Sequence, residues 1–243
     1  MLFRSGKESE PASSAAQIPA AVWDSLDADT REELTGEPKY IALTFDDGPR
    51  RGTTDLLLDG LLERGVTATF FVIGQQIPGC EDLIHRMAAE GHQVGNHTYT
   101  HARLLAVEPD VVLEEIQKTR VQLCSILGEG KYWLRPPYGL IDEKRAAVVD
   151  TPMIYWTLDP EDWKLLDAPR VTEAVLSRVQ PGDVILLHDF YPTSVEAALT
   201  LVDTLREDGY IFVTVEELFR IKGTAPLPGL LYASPTCVRT LPS

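Results

Sequence analysis

The sequence has few of the features that mark membrane, disulfide-rich or zinc–thiolate proteins. Among its 243 residues, no apolar run reaches the ~18–20 residues that a helix needs to cross a bilayer. Its three cysteines, Cys80, Cys124 and Cys237, are widely spaced and form no CxxC pair. Neither a zinc–thiolate site nor a disulfide framework is therefore predicted, and we expect buried free thiols.

Basic residues are also scarce. The chain has 22 Lys and Arg against 37 Asp and Glu, which gives a formal net charge of -15. Nucleic acids and anionic membranes are bound through Lys and Arg, so neither is an expected partner. The same charge favours a neutral or cationic substrate over a polyanion. The length and the 44% apolar content fit a globular protein with one sizeable core.

The two ends of the chain differ from its middle. Residues 1–37 are rich in Ser, Ala, Glu and Pro, and we expect a partly flexible arm with a short helix at 21–35. The first residues have no apolar segment of the kind a signal peptide needs. Two alternatives stay open: the protein remains inside the cell, or a native leader has been removed. Residues 223–243 are Pro-rich and predict an extended tail.

Between residues 38 and 222, short β-type runs alternate with helical patterns, which predicts βαβ units and a largely parallel sheet. Seven such units indicate an open or closed barrel with helices outside. The predicted strands are 40–45, 68–73, 93–95, 132–134, 153–156, 184–187 and 210–213. The predicted helices are 53–64, 81–90, 109–127, 142–149, 169–179, 194–207 and 215–221.

Candidate functional side chains follow the predicted strands, and the C-terminal strand ends are where parallel barrels gather function. Asp46 and Asp47 end the first strand before a Gly-Pro turn. One could bind a metal while the other acts as a base, although a solvated turn would look the same. His97 and His101 follow the third strand. Four-residue spacing on a helical turn would put both imidazoles on one face, which can hold zinc, but unrelated surface histidines remain an alternative.

Three further strand ends carry polar or aromatic residues. Arg135 precedes a rigid Pro-Pro turn and could be aimed at a carboxylate. The segment 159–163, DPEDW, is an acidic loop whose Trp163 could form a pocket wall. His188 ends an apolar strand and is a candidate general acid, although a histidine there is often only a satisfied core-edge residue. Chance does not readily place all of these at strand ends of one barrel-like chain.

Five segments, in order, resemble the motifs of the polysaccharide deacetylase family, the NodB-homology domain of carbohydrate esterase family 4. They are TFDDGP at 44–49, HTYTH at 97–101, RPPYG at 135–139, DPEDW at 159–163 and LLH at 186–188. The resemblance implies a distorted (β/α)7 barrel as a single domain over residues 38–222. It further implies a metal-dependent hydrolase that removes N-acetyl groups from N-acetylglucosamine polysaccharide, of the peptidoglycan or chitin type. An extracytoplasmic location and a monomer are the matching expectations.

The resemblance also implies the metal site and the base. Asp47, His97 and His101 would hold a divalent metal, with zinc expected and cobalt or another first-row metal allowed. Asp46 would be the general base, and Arg135 would orient it.

The remaining family positions are all present. Tyr138 would donate a backbone N–H to the oxyanion, and His188 would be the general acid, held and tuned by Asp162. Trp163 and Leu186 would line the acetyl pocket.

Other functions are compatible with parts of this pattern. An O-acetyl esterase acting on xylan would use the same site with a different cleft. A hydrolase of small cyclic amides would need a more closed pocket than the short loops predict. A glycan-binding domain without activity is a fourth alternative, and the intact motifs argue against it.

Overall fold

The central strand of the fold is β1 (Lys39–Asp46), whose residues from Ile41 onward are buried. The structure, a computed structural model, describes residues 36–242, so nearly all of the predicted arm at 1–37 and the helix within it lie outside the described residues. Strands covered on both faces read as apolar runs, and β1 fits that rule. The other strands of its sheet are β2 (Thr69–Val72), β3 (Gln93–Asn96), β5 (Val184–His188) and β6 (Tyr210–Phe212). The sheet is parallel in the order β3-β2-β1-β5, with β6 paired to the first residues of β1.

Isolated parallel bridges continue this sheet into a distorted barrel. Beyond β3, Asn96 pairs with Leu134, and Leu134 pairs with Met153 at the start of β4 (Met153–Ile154). A few residues later, Leu158 pairs with Ile185 of β5. The parallel segments thus return to the strand beside β1. This arrangement confirms the predicted α/β barrel class.

Helices cover the outside of the barrel. Leu57 and Leu201, from two of these helices, share a buried apolar cluster with Leu43 and Phe45 of β1. The helices are α1 (Thr54–Arg64), α2 (Glu81–Ala89), α3 (Pro109–Leu127), α4 (Glu143–Ala146), α5 (Asp162–Leu165), α6 (Ala168–Leu176), α7 (Pro192–Glu207) and α8 (Val215–Ile221). No helix in residues 36–242 combines the length and apolarity needed to cross a membrane.

Several elements differ from the sequence expectation. The predicted strand at 132–134 is reduced to the bridging residue Leu134. The expected extended tail contains β7 (Leu231–Ser234), which pairs in parallel with β4, and β8 (Cys237–Val238), which pairs antiparallel with β7. The 38–222 domain limits stay a prediction.

The cysteines correct one expectation. All three are free thiols, but Cys80 and Cys124 are only half-buried and Cys237 is exposed, so the expectation that they are buried was wrong.

Candidate active site

Asp46 and Asp47 lie together at the C-terminal end of β1. Asp46 is the last strand residue and is buried, whereas Asp47 is half-buried and has a left-handed backbone with φ 75°. Side chains alternate along a regular strand, so neighbours normally diverge. The left-handed residue breaks that alternation, and both carboxylates lie within 3.6 Å of one imidazole nitrogen, Nε2 of His97.

His97 and His101 lie on a loop, not on a helical turn as the spacing suggested. Thr98 and His101 have left-handed φ values of 66° and 57°, which no helix contains. The buried carboxylate of Glu115 holds the loop by accepting backbone N–H groups from Tyr99 and Thr100, at 3.0 and 2.7 Å. The loop nevertheless brings the two imidazole rings to 4.9 Å between centroids.

Three donor atoms converge at this point. Oδ1 of Asp47 lies 3.5 Å from Nε2 of His97 and 3.4 Å from Nε2 of His101. All three donor atoms are within 4.8 Å of one another. Nδ1–H of His97 donates to the carbonyl oxygen of Arg135 at 2.7 Å, so the lone pair of that imidazole is on Nε2 and faces Asp47.

The electrostatics of this cluster suit a cation. Oδ1 of Asp47 is buried and has no hydrogen-bond partner within residues 36–242. Burial lowers the pKa of His97 and of His101, which keeps both imidazoles neutral, and burial raises the pKa of the Asp47 carboxyl. Two neutral imidazoles and one unpaired carboxylate oxygen match the donor set of a catalytic zinc site, which keeps a coordination position open. The residues present therefore fit a divalent metal.

Arg135 lies in the barrel interior with no exposed surface. Its Nη1 donates to Oδ1 of Asp46 at 2.8 Å and to Oγ1 of Thr44 at 2.6 Å, and its Nη2 donates to the Tyr155 carbonyl at 2.8 Å. Its guanidinium also lies over the Phe71 ring at 4.2 Å. Burial lowers the pKa of Arg135, while the Asp46 charge opposes that shift. The guanidinium thus fixes one oxygen of Asp46 and leaves the other, Oδ2, towards His97.

His188 and Asp162 form a second pair at the end of β5. Asp162 is fully buried at the start of α5, and Oδ1 accepts Nδ1–H of His188 at 2.8 Å while Oδ2 accepts the His188 backbone N–H at 2.8 Å. Burial opposes the charged imidazolium. The hydrogen bond to Asp162 and the negative charges of Asp162, Asp46 and Asp47 outweigh it and raise the pKa of His188 to about 9. His188 therefore carries a proton at neutral pH.

The other predicted site residues lie around these two groups. Tyr138 has a left-handed backbone (φ 60°, ψ 7°), and its half-exposed ring is 4.7 Å from the His101 ring, between centroids. Trp163 follows Asp162 on α5 and is 47% exposed, so its indole is available to a ligand. Leu186 is buried within β5.

Two buried carboxyl groups near the site, Glu115 and Asp189, were not predicted from the sequence. Glu115 holds the histidine loop, and its position on α3 between Val112 and Ile116, both buried, was a usable signal, since residues three or four apart share a helix face. Asp189 is 1% exposed, and its carboxyl accepts the hydroxyl of Thr54. An aspartate after a strand end usually indicates a solvated turn, so nothing in the sequence pointed to its burial.

The sequence is similar to those of known proteins. Residues 33–153 match the family model described as polysaccharide deacetylase. The chain is 39% identical over 181 residues to the peptidoglycan-N-acetylglucosamine deacetylase PgdA of Listeria monocytogenes, covering 74% of this chain and 39% of that protein. It is 38% identical over 166 residues to a chitooligosaccharide deacetylase of a Bradyrhizobium strain, covering 67% of this chain and 76% of that one. The chain thus spans about two fifths of the Listeria protein.

A solved structure also superimposes on the fold. A family 4 acetyl xylan esterase from Clostridium thermocellum, in complex with a cobalt ion, matches with a TM-score of 0.78 and 33% identity. The match covers 82% of this chain and all of that one.

Proposed function

The chain belongs to the polysaccharide deacetylase family, as its five motifs predicted, and we propose that it is a metal-dependent hydrolase of N-acetylated glycans. Its substrate would be an N-acetylglucosamine-containing polysaccharide of the peptidoglycan or chitin type. The observation that carries the proposal is the convergence of Asp47, His97 and His101 near a candidate base and a candidate acid. Arg135 donates to Oδ1 of Asp46 and leaves Oδ2 free, and the bond between His188 and Asp162 helps to raise the pKa of His188.

The metal would be held by Oδ1 of Asp47 and Nε2 of His97 and His101. Zinc suits this donor set best, with cobalt or another first-row ion as alternatives. When bound, such an ion polarises the carbonyl of the acetyl group and lowers the pKa of a coordinated water. The protein side chains carry out the proton transfers.

Asp46 acts as the general base in this proposal. Its Oδ1 is occupied by the guanidinium of Arg135, so Oδ2 is the atom that accepts a proton from the attacking water. As the proton leaves, the water oxygen adds to the acetyl carbon. Arg135 is a positioning residue, because its fixed, planar guanidinium sets the orientation of the carboxylate.

His188 acts as the general acid. Its Nδ1–H bonds to Asp162, so Nε2 carries the proton that is donated to the amide nitrogen as the C–N bond breaks. Acetate and the free amine of the sugar are the products. The backbone N–H of Tyr138 would stabilise the oxyanion, and Trp163 and Leu186 would pack against the acetyl methyl group.

The proposed substrate also bears on where the protein acts. Cell-wall and chitin-type polymers lie outside the cytoplasm, which supports an extracytoplasmic protein. The proposed site residues all come from one chain, so the proposed reaction needs no second copy, and we keep the monomer as a proposal.

A second candidate is an O-acetyl esterase acting on xylan. The observation that favours it is the structural match to the acetyl xylan esterase, which extends over that whole chain. Ester and amide hydrolysis would use the same metal ligands and the same base.

The test is acetate release by zinc-loaded protein from N-acetylglucosamine oligomers and from acetylated xylan in parallel, with a chelated control. The proposal expects chelator-sensitive release from the amide substrate. Release from xylan alone would establish the esterase instead. Release from neither, although zinc is bound, would contradict both and favour a glycan-binding domain without activity. His97→Ala serves as a matched negative control because it removes one ligand.

A further inference from the structure

Asp189, the residue after β5, lies against the turn that carries the metal ligand Asp47. Its side chain is buried, and both of its carboxyl oxygens occupy the space that a Cβ atom on Gly48 would need. The carboxyl therefore packs directly on the backbone of Gly48. This contact explains why the TFDDGP segment has a glycine at this position, although Gly48 does not have a left-handed backbone.

A short hydrogen-bond relay ties Asp189 to the other end of the same turn. Oγ1 of Thr54 donates to Oδ2 of Asp189 and accepts the backbone N–H of Arg50 at 2.8 Å. On the opposite side, the Ile73 N–H donates to the Gly48 carbonyl at 2.9 Å. The turn between Asp46 and Arg50 is thus held by the residue that follows β2 and by Asp189.

Packing alone does not account for a carboxyl group here. Oδ1 of Asp189 is buried and has no hydrogen-bond partner among the described residues, and leaving a buried polar atom unpaired costs free energy. An apolar side chain of similar size would avoid that cost. Burial, with the charge of Asp47 adding to it, raises the pKa of Asp189 to about 7. An apolar side chain would lack the oxygen that accepts the Thr54 hydroxyl.

We propose that Asp189 is a positioning residue for the metal site. It fixes the turn after Asp46 so that Oδ1 of Asp47 faces both imidazole nitrogens. The inference rests on the proposed function only in taking a divalent ion as the ligand of those three atoms. Partners that orient metal ligands typically change metal affinity by roughly 10–100-fold when they are removed.

The experiment measures the zinc dissociation constant of the whole chain by competition with a chromophoric chelator. Asp189→Ala and Thr54→Val should each raise it by roughly 10–100-fold. Asp189→Asn keeps the size and the acceptor for Thr54, and we expect a change of no more than about threefold, below the range for removal of such partners. Thr200→Val removes a hydroxyl from an exposed position of α7, where its one partner among the described residues is the Glu196 carbonyl, and serves as the matched control.

The visible spectrum of the cobalt-loaded variants provides a second readout, because a displaced carboxylate alters the ligand field. A zinc affinity of wild-type strength in folded Thr54→Val, or in folded Asp189→Ala, would overturn the inference. Failure of the wild-type chain to bind zinc would overturn it together with the proposed function. Tight zinc binding without acetate release would contradict only the proposed function, and the comparison of variants would still decide the role of Asp189.

Discussion

Arg135 donates a hydrogen bond to Asp46 from a position 89 residues later in the chain, and both side chains are buried. The pair joins the end of β1 to the segment that follows the Leu134 bridge, on the far side of β2 and β3. It therefore connects the base of the proposed reaction to the opposite wall of the barrel.

Removal of the Arg135 guanidinium should destabilise the protein strongly. Arg135→Met keeps the apolar stem but leaves the Asp46 carboxylate buried without its partner. Breaking a buried pair in this way costs about 3–5 kcal/mol. Urea unfolding of the metal-free variant measures the free energy of unfolding. The double variant Asp46→Asn/Arg135→Met should lose less than the sum of the single variants, and strict additivity would contradict a direct coupling.

Asp46→Asn should separate turnover from metal binding. The substitution keeps the size of the side chain but removes the proton acceptor at Oδ2, so zinc stays bound while the rate falls by roughly 10²–10⁴-fold. His97→Ala should lose both, because Nε2 is a ligand. Zinc content and acetate release are measured on the same preparations. Asp59→Asn, at an exposed aspartate of α1, is the control. Full activity of Asp46→Asn would show that another group is the base.

The pKa of His188 should be about 9 in the metal-free protein, and NMR titration of its ring protons measures it. This pKa is raised above the ordinary value near 6.5, so protonated His188 stabilises the folded state. That contribution to the free energy of unfolding is complete below pH ~6.5 and is lost as the pH rises through about 9. Asp162→Asn removes the negative charge that favours the imidazolium, so the effect of burial should dominate and the pKa of His188 should fall. An unchanged pKa in that variant would exclude Asp162 as the cause.

Zinc should raise the melting temperature of the chain. A ligand that binds only the folded state stabilises it by about 2.7 kcal/mol at a concentration 100 times its dissociation constant. His97→Ala should lose this shift, whereas His85→Ala, at an exposed position of α2, should keep it. The chelated protein should remain folded, because the apolar cluster around β1 does not involve the three ligands. Unfolding on chelation would instead indicate a structural metal.

The sequence predicts those elements whose signals are local. The limits of α3 agree at both ends, since Pro109 suits the first helical position and Gly128 follows the last. The limits of α8 also agree, and a capping box between Thr214 and Glu217 marks its start. Strands depend on partners elsewhere in the chain. The run at 132–134 therefore keeps only one bridging residue, Leu134, and β7 forms where a Pro-rich tail was expected.

In the site, too, local features could be predicted from the sequence and long-range contacts could not. The types of side chain at the strand ends could be read from the sequence, but their geometry could not. The histidine loop depends on left-handed residues such as Thr98 and on the distant Glu115, and the spacing alone favoured a helical turn. The burial of Asp189 follows from contacts with Gly48 and Thr54, which lie far away in the sequence.

The pairing of β7 with β4 has a consequence for anyone who trims this protein. A chain that stops at residue 222, the predicted end of the domain, would leave the backbone of Met153 and Ile154 without the partner that Leu231 and Tyr232 provide. Unpaired strand edges recruit other strands. Such a shortened chain should fail first by self-association, visible in light scattering, while every proposed metal ligand and proton-transfer group is still present in its sequence.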